Sequence, residues 1–186
     1  MFEIQTAKYG EALAEVLDSE TIPALGPGKP ARQERATLTA LTLEDAFPGT
    51  QITDVDMAQC CLSGIWLFHN YLDESHTISQ DISTTTGSYW HGIMHRREPD
   101  FSNAKYWFRR VGSHPVFDSL YHEAMAISAT HSHPLPLGSF WDPFAFVDAC
   151  QDALSVNSRS PELCAQIAHA EWWLLFDYCY EQATAT

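Results

Sequence analysis

The stretch Tyr89-Trp90-His91-Gly92-Ile93-Met94-His95-Arg96-Arg97-Glu98-Pro99-Asp100-Phe101-Ser102-Asn103-Ala104-Lys105-Tyr106-Trp107-Phe108-Arg109-Arg110-Val111-Gly112 decides how this chain is read. A proline pushes the residue before it out of helical backbone, so Pro99 predicts a helix that starts near Tyr89 and stops before it. Asp100 or Ser102 caps a second helix, and Gly112 ends it. The stretch is also where basic residues collect. Arg96, Arg97, Lys105, Arg109 and Arg110 are half of all the Lys and Arg, and only Glu98 and Asp100 oppose them locally. The segment carries +3 within a chain of net charge −14, which leaves −17 on the remainder.

Helix signals continue outward on both sides. Thr53 and Asp56 resemble a capping box, and Val55, Ala58, Leu62, Ile65, His69 and Leu72 follow at spacings of three and four, a single apolar stripe. Towards the start, a short helix is expected over Ala7 to Leu17. A connector over 19–30 follows, rich in proline and glycine (Pro23, Gly26, Pro27, Gly28, Pro30), and then a helix over Ala31 to Ala46, closed by Pro48-Gly49. The polar run 77–88, with three consecutive threonines and Gly87, is expected to be a loop long enough to carry function. Beyond Gly112, His114-Pro115, Asp142-Pro143 and Ser160-Pro161 announce three more helices by proline at the first helical position. The expected fold is all-α, a single domain over 1–186 built as a compact irregular bundle of about seven to eight helices.

At 186 residues and 45% hydrophobic composition the chain can bury a sizeable core and is not expected to be disordered. No apolar run approaches the ~20 residues of a membrane span, and Met1-Phe-Glu-Ile-Gln-Thr6 lacks a secretory layout. Five cysteines, an odd number with no C-x-x-C pair, read as reduced buried thiols, so the expected location is the cytoplasm. The acidic balance argues against nucleic acid and anionic membrane surfaces as partners. No phosphate-binding glycine loop, nucleophile elbow or dinucleotide fingerprint is present.

The central stretch, with the flanking pieces Leu72-Asp73-Glu74-Ser75-His76 and Gly112-Ser113-His114-Pro115, resembles the signature of a family of uncharacterised proteins. The resemblance covers about a third of the chain and implies no activity and no catalytic residues.

Three functional readings follow from the residues. In the first, Arg96, Arg97, Lys105 and Arg109 present forked or point charges to a small carboxylated or phosphorylated metabolite, Trp90 and Trp107 wall the pocket, and His91, His95 and Glu98 carry acid–base chemistry. The same cations paired with carboxylates would be purely structural. In the second, a divalent metal is held by His69, Asp73, His91 and His95, since residues four apart on a helix point the same way. In the third, the protein has no catalysis and acts by interaction, with Trp172, Trp173 and Phe176 meeting a partner or a second copy of the chain. Whether the chain is an enzyme is left open, and the expected cofactor is none or a divalent metal.

Overall fold

A computed structural model describes residues 6–17, 21–156, 158 and 160–185, so the first residues of the 19–30 connector lie outside the described residues. Among the described residues there are ten α-helices, seven of them eight residues or longer, and no strand. They are α1 (Glu11–Val16), α2 (Arg35–Ala40), α3 (Leu43–Ala46), α4 (Val55–Phe68), α5 (Leu72–Ser79), α6 (Thr85–Arg97), α7 (Phe101–Val111), α8 (Val116–Ala129), α9 (Pro143–Ala153) and α10 (Pro161–Thr184). None is long and apolar enough to cross a membrane.

The helix signals land close to where the sequence puts them, with differences that have local causes. The Ala31–Ala46 span is broken in two, because Leu41 is extended and Thr42 starts a new helix through a reciprocal capping box with Asp45. α4 is capped by Asp54, whose carboxylate accepts from the Met57 N–H, while Thr53 hydrogen-bonds the carbonyls of Ala183 and Ala185 at the far end of the chain. The stripe through Leu72 is not one helix. α4 stops at Phe68, Asn70 takes a left-handed φ of 63°, and α5 restarts at Leu72. The loop expected over 77–88 is confined to 80–84: α5 runs through Ser79, and Thr84 caps α6 by accepting from the Gly87 N–H. Pro143 and Pro161 start α9 and α10 as expected, whereas Pro115 sits at the cap of α8.

The order of packing follows from α6. All of its residues from Thr86 to Arg97 are buried, because α4, α5 and α7 pack around it and α10 reaches it through side chains of Glu171 and Cys179. α10 lies along α4 and α8, and α9 sits against α7 and α10. Around the axis Trp90, Trp172, Trp173, Phe68 and Phe176 form one aromatic core, with Trp172 and Phe176 stacked at 4.8 Å. Trp90 reaches α4 at Gly64, and the Trp172 indole N–H donates to the Gly64 carbonyl at 3.0 Å. A Cβ at Gly64 would stand 2.8 Å from the Trp90 ring, so glycine is required by the closeness of α4 to α6. Replacing Gly64 with alanine overpacks a rigid ring in the core and should cost about 1–3 kcal/mol, read as a lower urea midpoint with an unchanged denaturant slope; a variant as stable as the wild type would show that the helices can part.

Candidate functional site

Because α6 is buried all round, its polar side chains must find partners inside the protein. Arg96, 1% exposed, donates from Nη2 to the Glu171 carboxylate on α10, and Tyr89 donates its hydroxyl to the other oxygen of that carboxylate at 3.0 Å. Its guanidinium lies 4.7 Å over the Phe146 ring. Burial alone would lower the pKa of Arg96, but Glu171 outweighs it and the group is held above its ordinary value. Arg97 points the other way. Its Nε donates to the Gly26 carbonyl, Nη1 to the Leu67 carbonyl and Nη2 to Asn70 Oδ1. Leu67 lies in the last turn of α4, where the negative end of the helix dipole favours a cation. Burial, then the nearby Arg96, lower Arg97 to about 9, which still leaves it charged at neutral pH. Arg97 and Asn70 together hold the proline- and glycine-rich connector against the end of α4, since the Asn70 amide also donates to the Lys29 carbonyl at 3.0 Å.

The remaining cations lie elsewhere. Lys105 pairs with Asp148 of α9 at 2.5 Å near the surface, and Arg109 and Arg110 are exposed. Lys105 and Arg109 line an open basin of about 680 Å³ with Pro99, Asp100, Phe101, Ser102 and Gln151. Arg96 and Arg97 do not line that basin, so the four cations expected to meet in one pocket are divided among an internal ion pair, a backbone staple and a shallow surface. Trp90 is likewise core, donating its indole N–H to the Cys179 sulfur at 3.3 Å, and is no wall of a cavity with Trp107.

The imidazoles do come together. His91 and His95, one turn apart on α6, face each other with their Nε2 atoms 3.0 Å apart. His76, near the end of α5, places its ring 4.7 Å from His91 and 5.4 Å from His95. One nitrogen from each of the three lies within 4.8 Å of the others. The five-residue connection 80–84 folds α5 back along α6 and brings His76 to the pair. His69 and Asp73, expected as the partners, do not take part: His69 follows the end of α4 and donates from Nε2 to the Val16 carbonyl at 2.7 Å, and Asp73 is exposed. The break at Asn70 is the reason. His69 stays at the end of α4, and Asp73 opens α5 on its exposed side.

Three neighbours surround the trio. Trp107 of α7 stacks flat on His91, with ring centroids 3.9 Å apart, and Arg110 lies 5.1 Å from the Trp107 ring on the solvent side of that helix. Glu98 Oε2 is 3.1 Å from His95 Nδ1, with the Glu98 side chain half exposed. The Asn103 amide nitrogen is 3.0 Å from one ring nitrogen of His95 and 3.4 Å from the other, which puts it against the ring face and off either lone-pair direction. Burial, followed by His95 and His76, lowers the His91 pKa to about 3, and the Ser79 carbonyl opposes that shift weakly. Burial also lowers His95, against the opposing pull of Glu98. The two α6 rings are therefore neutral at pH 7, the state in which an imidazole has a lone pair to give. His91 Nδ1 is buried with no hydrogen bond of good geometry.

The sequence reading included His91, His95 and Glu98 but assigned no role to His76. The signal was present, since His76 belongs to a piece that flanks the resemblance, yet spacing alone cannot show that α5 doubles back. No known protein family, curated protein or solved structure matches the chain, so the site is described from its own geometry.

Two outcomes follow from these buried groups. Replacing Glu171 with glutamine leaves the Arg96 charge unpaired in the core and should cost about 3–5 kcal/mol, measured by urea unfolding; a loss under 1 kcal/mol would mean that water reaches Arg96. His91 at about 3 and His114 at about 4 are both lowered by burial. An unfolded chain binds protons at these histidines near pH 6.5 while the folded chain does not, so stability falls as pH drops from about 7 towards 4. Unfolding midpoints at pH 7 and pH 5 should differ in that direction, and His114→Asn should shrink the difference.

Proposed function

We propose that the protein is a metal-dependent enzyme whose centre is a divalent transition metal held by His76, His91 and His95. The observation that carries this reading is the convergence of three imidazole nitrogens from two helices, all within 4.8 Å. Two nitrogen ligands on a tetrahedral ion, each bonded at about 2.0–2.1 Å, stand roughly 3.3 Å apart. The 3.0 Å between His91 Nε2 and His95 Nε2 is close to that spacing, and rotation of the half-buried His76 brings in the third donor. The rings of α6 are neutral and partly desolvated, so binding requires no deprotonation. An all-imidazole set favours zinc, copper, nickel or iron over magnesium or calcium, which take oxygen ligands.

Three protein ligands leave a tetrahedral ion one position short, the arrangement of catalytic and not of structural zinc. A metal there supplies Lewis acidity at that position. The chain's own residues supply the rest. Trp107 keeps water from one face of His91, Glu98 stands at the half-exposed edge beside His95, and Arg110 adds positive charge just outside Trp107.

A second reading, a small anionic ligand in the basin at the Pro99 turn, has Lys105 and Arg109 for support. It is the weaker of the two, because Lys105 already has a carboxylate partner in Asp148 and Asp100 lines the same basin.

Protein purified without a histidine tag should take up one zinc or cobalt ion per chain, and His91→Ala should take up none. The visible spectrum of the cobalt protein should shift when azide is added, because an open position exchanges ligands. Equal uptake by wild type and His91→Ala would remove the site, and a cobalt spectrum indifferent to azide would make it structural.

A further inference from the structure

Glu98 is the one carboxylate among the described residues that touches the trio, and it touches the ring nitrogen that faces away from the other imidazoles. An ionised carboxylate can only accept, so a hydrogen bond between Glu98 Oε2 and His95 Nδ1 requires the proton to sit on Nδ1. A neutral ring has one proton. Its Nε2 therefore carries the lone pair, and Nε2 is the atom that looks at His91 Nε2 across 3.0 Å. That contact in turn needs a proton from His91, which puts the His91 proton on Nε2 and leaves its Nδ1 as a bare acceptor. His91 Nδ1 is the buried ring nitrogen without a hydrogen-bond partner.

Resting on the metal reading above, we propose that Glu98 is the positioning residue of the centre: it locks His95 in the Nδ1–H tautomer and so turns the Nε2 lone pair of that ring towards the ion. The carboxylate also makes the ring a stronger donor, because negative charge at Nδ1–H raises electron density at Nε2. Geometry suits Glu98 to this part. It is the C-cap of α6, three residues past His95, so its carboxylate lies over the last turn and its orientation is fixed by the same helix that carries the ligand. Its other side is open to water. Pro99 then ends the helix directly behind it and keeps the position at the helix edge. Asn103, the other polar side chain beside His95, lies over the ring face and sets no tautomer.

Metal capture adds a consequence for His91. Its Nε2 proton has to move to Nδ1 before the lone pair can be given, a change of tautomer with no net loss of a proton. His95 keeps its tautomer throughout.

Nitrogen-15 NMR of tag-free, full-length protein labelled at histidine tests the tautomer lock without any metal. His95 should show a protonated Nδ1 and bare Nε2 in the wild type, and a mixture in Glu98→Ala. Zinc and cobalt affinities, measured by competition with a chromophoric chelator, then test the consequence. Glu98→Ala should bind about 10–100-fold more weakly, Glu98→Gln less so because the amide oxygen still accepts, and Glu98→Asp should recover part of the loss. Asp118→Asn, on the exposed face of α8, should bind as the wild type does. A His95 tautomer indifferent to Glu98→Ala overturns the proposal, as does unchanged affinity in Glu98→Ala. An affinity loss matched by a fall in the melting temperature of the metal-free variant would make Glu98 a structural residue and overturn it too. If the wild type takes up no metal, the metal reading fails on its own, and the NMR result still decides whether Glu98 holds the ring.

Discussion

A helix surrounded on every side cannot carry charge or open hydrogen-bonding atoms unless the rest of the chain brings partners to it, and α6 carries two guanidinium groups and two imidazoles in its last two turns. Most of the architecture can be understood as the answer to that demand. α10 delivers Glu171 to Arg96, the end of α4 and the connector deliver carbonyls to Arg97, and α5 delivers a third imidazole to the pair on α6. Breaking the Arg96 pair would strand a charge where water is absent, which is far more costly than never having built it. The aromatic core then fills what remains, with Trp90 wedged between Gly64 and the Trp172 ring.

The two arginines and the two histidines are neighbours in sequence but have opposite relations to their surroundings. Arg97 has a partner at each guanidinium nitrogen and Arg96 pairs with Glu171 through Nη2, so both hold elements together, although Arg96 Nε and Nη1 are buried without a hydrogen bond. His91 and His95 are met by another imidazole, an aromatic face, a single carboxylate and the Asn103 amide. The distinction rests on what surrounds each side chain and not on residue type, since all four are buried to a similar degree.

Much of the scaffold was legible in the residues. Pro99 and Gly112 bound α7, Pro143 and Pro161 start their helices, and the fold class follows from the recurrence of a 3.6-residue period. Where the reading erred, a backbone event of one or two residues was responsible. Asn70, in a left-handed conformation, ends the stripe that seemed to run from Val55 to Leu72, and that break replaces His69 and Asp73 by His76. Thr84, read as part of a polar loop, is a cap, and it extends α6 back by a full turn. The arginine cluster was visible as a concentration of charge, but linear density gives no direction. Arg96 and Arg97 leave α6 about 100° apart, one towards Glu171 on α10 and the other towards the end of α4. Nothing in the spacing marks Glu171, 75 residues away, as the partner of one of them.

The connection 80–84 has a further consequence for how the molecule comes into being. Its shortness means that all three imidazoles, and Glu98 with them, belong to one continuous stretch of two helices and a turn. Such a segment closes on itself quickly, because little chain entropy is lost in joining near neighbours, whereas the Arg96–Glu171 union has to wait for a distant helix to arrive. The imidazole trio is thus assembled by a local closure, so, on the metal reading proposed above, an ion present during synthesis would meet its ligands before the interior has finished closing over them.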